Sequence, residues 1–308
     1  MNLKDVLTPE EFASVTEKSD WLGARIIAFD WVVIAGTFYL AGTYPNPVTL
    51  LLAILILGAR QLGLGVIVHE TGHRTLFSSR ALNDFCGTWL TGYLVFSNKD
   101  AYMRGHLKHH RDAGTDQDPD LSNYRDYPIG RERLQRKIVR DLTGQVGWRR
   151  IKSLARAIAK LPSLDEENRS YLIGSIAMNV LIFGALAVWG HAWVYLLWVA
   201  AFMTSHMLVS RIRQIAEHAA VPDLYDPDPR RHTRTLYINW LERLLIAPHG
   251  VNYHLEHHLL ASVPIYRLRL LHEILLRKGF YEGVEFEKGY LNLLRNVTYA
   301  TADSSAGA

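Results

Sequence analysis

Nine of the fourteen histidines in this chain recur at spacings that suit metal ligation. His69 and His73 stand four residues apart in "HETGH". His106, His109 and His110 follow an i, i+3, i+4 pattern in "HLKHH", and His254, His257 and His258 repeat it in "HLEHH". His218 stands alone in "RQIAEHAA". Residues three and four apart share one face of a helix, so each group aims its imidazoles in a single direction. Imidazole-only ligation suits iron, copper or zinc. Nine rings exceed what one tetrahedral zinc takes; divided between two metals they give four or five each, with room for oxygen or water. A polar or pH-sensitive surface would not require the repeated spacing.

Neutral imidazoles leave a metal's charge uncompensated, so carboxylates are expected to hold the rings by their other nitrogen. Glu70, Glu217 and Glu256 each adjoin one of these histidines. Asp112, Asp116, Asp118 and Asp120 follow the second group, where they fit equally as helix caps and turn formers in "AGTDQDPD". Taken alone, "HETGH" satisfies H-E-x-x-H, the pattern of a zinc protease with Glu70 as general base. That reading leaves seven clustered histidines unused. An intramembrane protease would also be expected to carry an aspartate in a later span, and neither later span has one. The single cysteine, Cys86, excludes an intramolecular disulfide and a thiolate metal site.

Four apolar stretches must position these rings. A membrane-spanning helix needs about 20 mostly apolar residues, and segments 26–43, 48–68, 171–189 and 192–209 approach that length. The first two are joined by "AGTYPNP" and the last two by Gly190-His191, turns without Lys or Arg. The expected fold is therefore all-α: an integral membrane protein with four transmembrane helices in two hairpins. By the positive-inside rule the basic segments 69–170 and 210–300 face the cytoplasm, where they form a helical cap carrying the histidine groups. Asp30, Arg60 and His206 fall inside spans and should face the bundle interior. His191 belongs to the opposite side, and His249 and His272 carry no assignment.

Segment 84–96, "DFCGTWLTGYLVF", is too short to span and reads as a re-entrant or interfacial helix; its Trp89, Tyr93 and Phe96 are candidates to line a substrate channel or to anchor at the interface. Segment 131–160 is basic with apolar residues at helical spacing. It suits either an anionic leaflet or a solvated helix on the cap. No cleavable signal peptide is expected in the polar first twenty residues, and the tail 301–308 is expected to be disordered. The whole chain reads as one domain.

The combination of HxxxH, HxxHH and HxxHH with two membrane hairpins resembles the membrane fatty acid desaturase superfamily. The resemblance runs from the second span to "NYHLEHH". It implies a non-haem di-iron centre at the cytoplasmic face, molecular oxygen as co-substrate and no bound organic cofactor. His218 resembles a ninth ligand found between the second and third boxes of animal acyl-CoA desaturases. Gln214 stands where those enzymes have an asparagine that holds a metal-bound water. The short HxxxH first box is more similar to acyl-lipid desaturases and carotenoid ketolases. The motif "HPGG" of a fused haem domain is absent from the sequence, so a separate ferredoxin- or cytochrome-type donor with its reductase is implied.

The function expected from these residues is desaturation of a lipid acyl chain in a bacterial cytoplasmic (inner) membrane, with no nucleic-acid partner. Hydroxylation or ketolation of a lipid or carotenoid-like substrate is the alternative within the same superfamily. A membrane metal carrier would spread its ligands through the depth of the spans, whereas these gather on one side.

Overall fold

Polar caps mark where the long helices begin. The computed structural model describes residues 3–300, and the expected disordered tail lies outside the described residues. Ser19 accepts a hydrogen bond from the Leu22 amide and opens the first long helix, Asp20–Thr43. Asn46 accepts from the amides of Val48 and Thr49 and opens the second, Pro47–Gly72, with Pro47 where a missing N–H costs nothing. Asp165 caps the third, Glu166–Val188, through the Asn168 amide. The fourth runs over Ala192–His218. These four are long and apolar enough to cross a membrane. Sheet among the described residues is confined to parallel pairings of 129–130 with 298–299 and of 236–237 with 287–288.

The helices outrun their apolar stretches. The first begins at Asp20 rather than 26, the second continues to Gly72, the third begins at Glu166, and the fourth reaches His218. Caps and packing, not hydropathy, set these ends, and the extensions carry His69 and His218 beyond the apolar segments. The fourth helix also breaks once, at Thr204 (φ −123°, ψ −86°). The two hydroxyls at the break find carbonyl partners, Thr204 on Ala200 and Ser205 on Ile54 of the second helix, each at 2.6 Å.

The two turns between paired helices lie together at the far end of the bundle. A Cβ on Gly42 would come within 2.6 Å of the Trp189 ring and 3.1 Å of the His191 ring, so only glycine allows that approach. The second helix is central: from Leu57 to Thr71 every residue is buried except Gly65. It passes between two apolar cores. One lies among the long helices and includes Ile34, Phe38, Leu64, Leu186 and Trp198. The other gathers Val66 with Leu121, Ile215, Leu255, Leu271 and Leu293. His69 follows Val66 within one turn.

Segment 84–96 is two short elements, not one helix. Helix Arg80–Trp89 ends, Thr91 leaves helical geometry, and a 3-10 turn spans Gly92–Val95. The turn is held to the third helix by Asn179, whose amide donates to the Tyr93 carbonyl at 3.2 Å. Segment 131–160 is likewise a helix pair, Arg131–Leu142 and Gln145–Ala159, parted by Gly144 at φ +75°. Gly147 lets the second member approach the break in the fourth long helix, since a Cβ there would sit 2.3 Å from the Met203 Cα.

The ionisable residues of the first two spans do face inward. Asp30 accepts from Arg60 at 2.6 Å and pairs with His249 at 3.0 Å; Arg60 also donates to the Leu244 carbonyl. This buried triad ties two long helices to segment 240–250 and gives His249 its place. Asp30→Ala would leave the Arg60 guanidinium buried without its counter-ion, a change that costs about 3–5 kcal/mol. The expected outcome is a clearly lower unfolding midpoint of the detergent-solubilised protein in a thermal melt, with a smaller loss for Asp30→Asn.

Candidate metal centre

Three helices end at the same place. His69 lies in the last turn of Pro47–Gly72, with His73 as its C-cap. His109 and His110 lie in the last turn of Lys99–Asp112, a helix opened by Asn98, which accepts from the Asp100 and Ala101 amides. His218 is the last residue of Ser205–His218. The negative ends of three helix dipoles therefore converge on one region, which favours a cation there. The short helix His254–Leu259 closes it from the side of the second core.

The nine rings meet there and divide into two groups. His69, His73, His106, His110 and His257 form one; His109, His218, His254 and His258 form the other. Within each group the ligand nitrogens all lie within 4.8 Å of one another. The groups adjoin: the rings of His110 and His258 are 4.5 Å apart, and those of His109 and His110 are 5.9 Å apart.

The hydrogen bonds around the rings decide which nitrogens face inward. His218 donates from Nδ1 to the His232 carbonyl at 2.9 Å; a carbonyl can only accept, so His218 Nε2 bears a lone pair. His69 Nδ1 meets Glu70 at 2.9 Å, and His109 Nδ1 meets Asp118 at 2.8 Å. The Nε2 atoms then crowd together: His106 lies 3.0 Å from His73 and 2.9 Å from His110, which lies 2.9 Å from His257. In the second group His254 is 3.0 Å from His218 and 3.1 Å from His258. A ring nitrogen has one in-plane position, so His106 and His110 cannot satisfy two nitrogen neighbours by hydrogen bonding alone. A shared cation satisfies them all, and the donor set fits one in each group. A tetrahedral site with metal–nitrogen bonds of 2.0–2.1 Å would have edges of about 3.3 Å, so the shorter separations and the fivefold group both fit a metal of higher coordination number.

Four of the rings are also kept ready as neutral ligands. Burial, reinforced by neighbouring histidines, pushes His110 down to about 3 and holds His254, His257 and His258 well below the usual histidine range. Burial works the other way on Asp118, raising it, but the contact from His109 and the Tyr124 hydroxyl outweigh that, and the carboxyl is held below its ordinary value.

The expected ring-holding carboxylates are only partly where sequence order placed them. Glu70 touches His69 and is itself fixed by the Thr75 hydroxyl and the Ile265 amide, each at 3.0 Å. Glu217 spends both oxygens on Arg213, at 2.6 and 2.9 Å, and lies 3.5 Å from His254. Glu256 points away from the clusters, to His272 at 2.6 Å and to Thr235 and Tyr281. On the helix that carries the third box, Glu256 takes the side opposite its neighbours. Asp112 pairs with Arg111 at 2.8 Å and Asp116 accepts from Gln117, so neither holds a ring. Asp118, two residues further on, does. Gln214 is exposed and lines a separate cavity with Asn123 and Lys137. Trp89 packs on Tyr93, Tyr93 also on Tyr171, and Phe96 on Phe202, rather than on the histidine rings. Sequence order offered no means to find Tyr102, stacked 5.3 Å from His106, or the His232 carbonyl.

Asp118→Asn should lower metal affinity by about 10–100-fold, because it removes the charge that fixes the His109 tautomer. Asp112→Asn should leave it unchanged. Metal retained against a graded chelator series, measured by mass spectrometry of the element, distinguishes the two.

Comparison with known proteins agrees with this arrangement. The fatty acid desaturase family model matches residues 45–288. Dihydrorhizobitoxine desaturase of Bradyrhizobium elkanii is 27% identical, over 88% of this chain and 80% of its own length. An sn-1 oleoyl-lipid 12-desaturase of Anabaena variabilis is 24% identical over the same shares. The beta-carotene ketolase of a Paracoccus species is 25% identical over 83% of this chain and 93% of its own. With two histidine clusters at one end of four apolar helices, and a family match over most of its length, the chain belongs to the fatty acid desaturase family.

Proposed function

We propose that the protein is an oxygen-dependent, di-iron desaturase of a lipid acyl chain. One iron would be held by His69, His73, His106, His110 and His257, the other by His109, His218, His254 and His258. The observation that carries this is the meeting of nine imidazoles as two adjoining groups, with the ligand nitrogens of each group within 4.8 Å of one another. Iron reduced by a separate donor protein supplies oxygen activation and removal of hydrogen from an unactivated methylene.

The chain's own residues do the rest. Glu70, Asp118 and the His232 carbonyl hold the proton on Nδ1 of their rings and so keep Nε2 directed inward. Val66, Val251, Ile265 and Leu268 line a small cavity beside His69, His254 and His257 and keep water from it. Arg213 lines the same cavity, and Glu217 matches its charge.

The protein is read as a multi-pass protein of a bacterial cytoplasmic membrane. Its basic segments, and with them the histidines, lie on the cytoplasmic side, and the two uncharged turns lie opposite. A second reading, oxygen insertion as in the ketolase relative, is favoured by the alignment across 93% of that enzyme.

Labelled lipids fed to cells expressing the chain separate the readings by mass: loss of two hydrogens for desaturation, gain of oxygen for the alternative. If every product gains oxygen, desaturation is wrong. His109→Ala and His257→Ala should each abolish product and reduce bound iron, with the protein still in the membrane. His191→Ala should change neither, because that ring stacks on Trp189 at the far end of the bundle.

A further inference from the structure

A groove of about 430 Å³ opens between the start of the first long helix and segment 240–249. Phe29, Trp240, Leu244 and Pro248 give it an apolar lining. Phe29 and Trp240 are 46% and 76% exposed, which in this setting leaves two aromatic faces for an apolar occupant. The floor is polar but closed, since Arg60 is matched by Asp30 and His249 shares that carboxylate.

The rim differs. Arg25 and Arg243 both line the groove and both are exposed. Neither guanidinium has a carboxylate within 4.0 Å among the described residues. Carboxylates on the neighbouring segments are already engaged: Asp20 by Ser78, Glu17 by Arg267, and Glu242 by the amides of Asn239 and Tyr290. Two unmatched guanidiniums over an apolar trough complement an amphiphile with an anionic head, because a guanidinium grips phosphate oxygens by paired hydrogen bonds. The groove shares a helix with the rings, since Arg60 lines it. Arg60 and His69 share the second helix, and at 1.5 Å per residue they are about 14 Å apart along its axis, a span that an acyl chain covers.

We propose that this groove binds an anionic membrane phospholipid, its phosphate held by Arg25 and Arg243 and one acyl chain lying along Phe29, Leu244 and Pro248. As a substrate site it rests on the acyl-lipid reading above, and it narrows that reading: a carotenoid brings nothing for the two cations to hold.

The test is lipid binding by the purified full-length protein, followed by native mass spectrometry during titration with phosphatidylglycerol, or with diacylglycerol or oleate carrying the same chain. The wild type should prefer phosphatidylglycerol to both by at least tenfold. Arg25→Gln with Arg243→Gln should remove that preference while bound iron is unchanged, and Arg25→Lys with Arg243→Lys should restore part of it. Arg149→Gln with Arg156→Gln, an equal loss of charge on helix Gln145–Ala159, should preserve it. The proposal is overturned by a wild type without the preference, by equal loss in the Arg149/Arg156 control, or by oleate binding as tightly as phosphatidylglycerol. Binding as described, with no lipid of any class oxidised, would uphold the site and remove the desaturase reading instead.

Discussion

A neutral imidazole has one lone pair to offer, and whatever binds its other nitrogen decides where that lone pair points. Much of this molecule is arranged around that constraint. The Glu70 carboxylate, the Asp118 carboxylate and the His232 carbonyl come from a long helix, from the loop after the second histidine group and from the residues after His218. Each must be held still for its ring to be held. Glu70 is pinned by Thr75 and Ile265, and Asp118 by Tyr124 and the Asp120 amide. Rings oriented this way cannot satisfy one another, which is why the geometry at the cluster fits a cation so much better than a hydrogen-bonded network.

Positioning of this kind demands rigid supports, and the long helices provide them by running on beyond their apolar segments. The second helix is mostly apolar up to Val68, with Arg60 and Gln61 buried in it, and carries His69 in its last turn with no joint between. The fourth has a joint, at Thr204, but it lies well before His218, and the helix downstream is clamped by Arg211 on Asp141 and by packing against the second helix. Side chains on continuous helices move less than side chains on loops. Only the carboxylate at Asp118 comes from irregular chain, and the Asp120 amide and the Tyr124 hydroxyl hold it as Thr75 and Ile265 hold Glu70.

The sequence made the histidine groups and the paired apolar stretches legible because both are periodic signals: i, i+3, i+4 for one face of a helix, and sustained hydropathy for a span. The separation into five and four was not legible, because it depends on how four chain segments cross. His109 and His110 are neighbours in sequence yet belong to different groups, as are His257 and His258. Adjacent helix positions point about 100° apart, so neighbours joining different groups is what helix geometry dictates once two groups adjoin. Asp118 was one of several aspartates in a loop without periodicity, and nothing local separated it from Asp112 and Asp116. Glu256 misled for the opposite reason. It adjoins His257 in sequence, and adjacency on a helix puts it on another face, where it meets His272.

The buried charges show how the apolar parts of the chain tolerate polarity. Asp30, Arg60 and His249 satisfy one another across two long helices and a returning segment, and Arg213 satisfies Glu217 one helical turn away. Neither set leaves an uncompensated charge close to the rings, where it would attract water and shift their protonation. The hydrogen removal proposed above would need that neutrality, because excluding water strengthens the electrostatics inside such a site and prevents side reactions. The closed ion pairs thus hold the fold while leaving the two histidine groups imidazole alone to offer a cation.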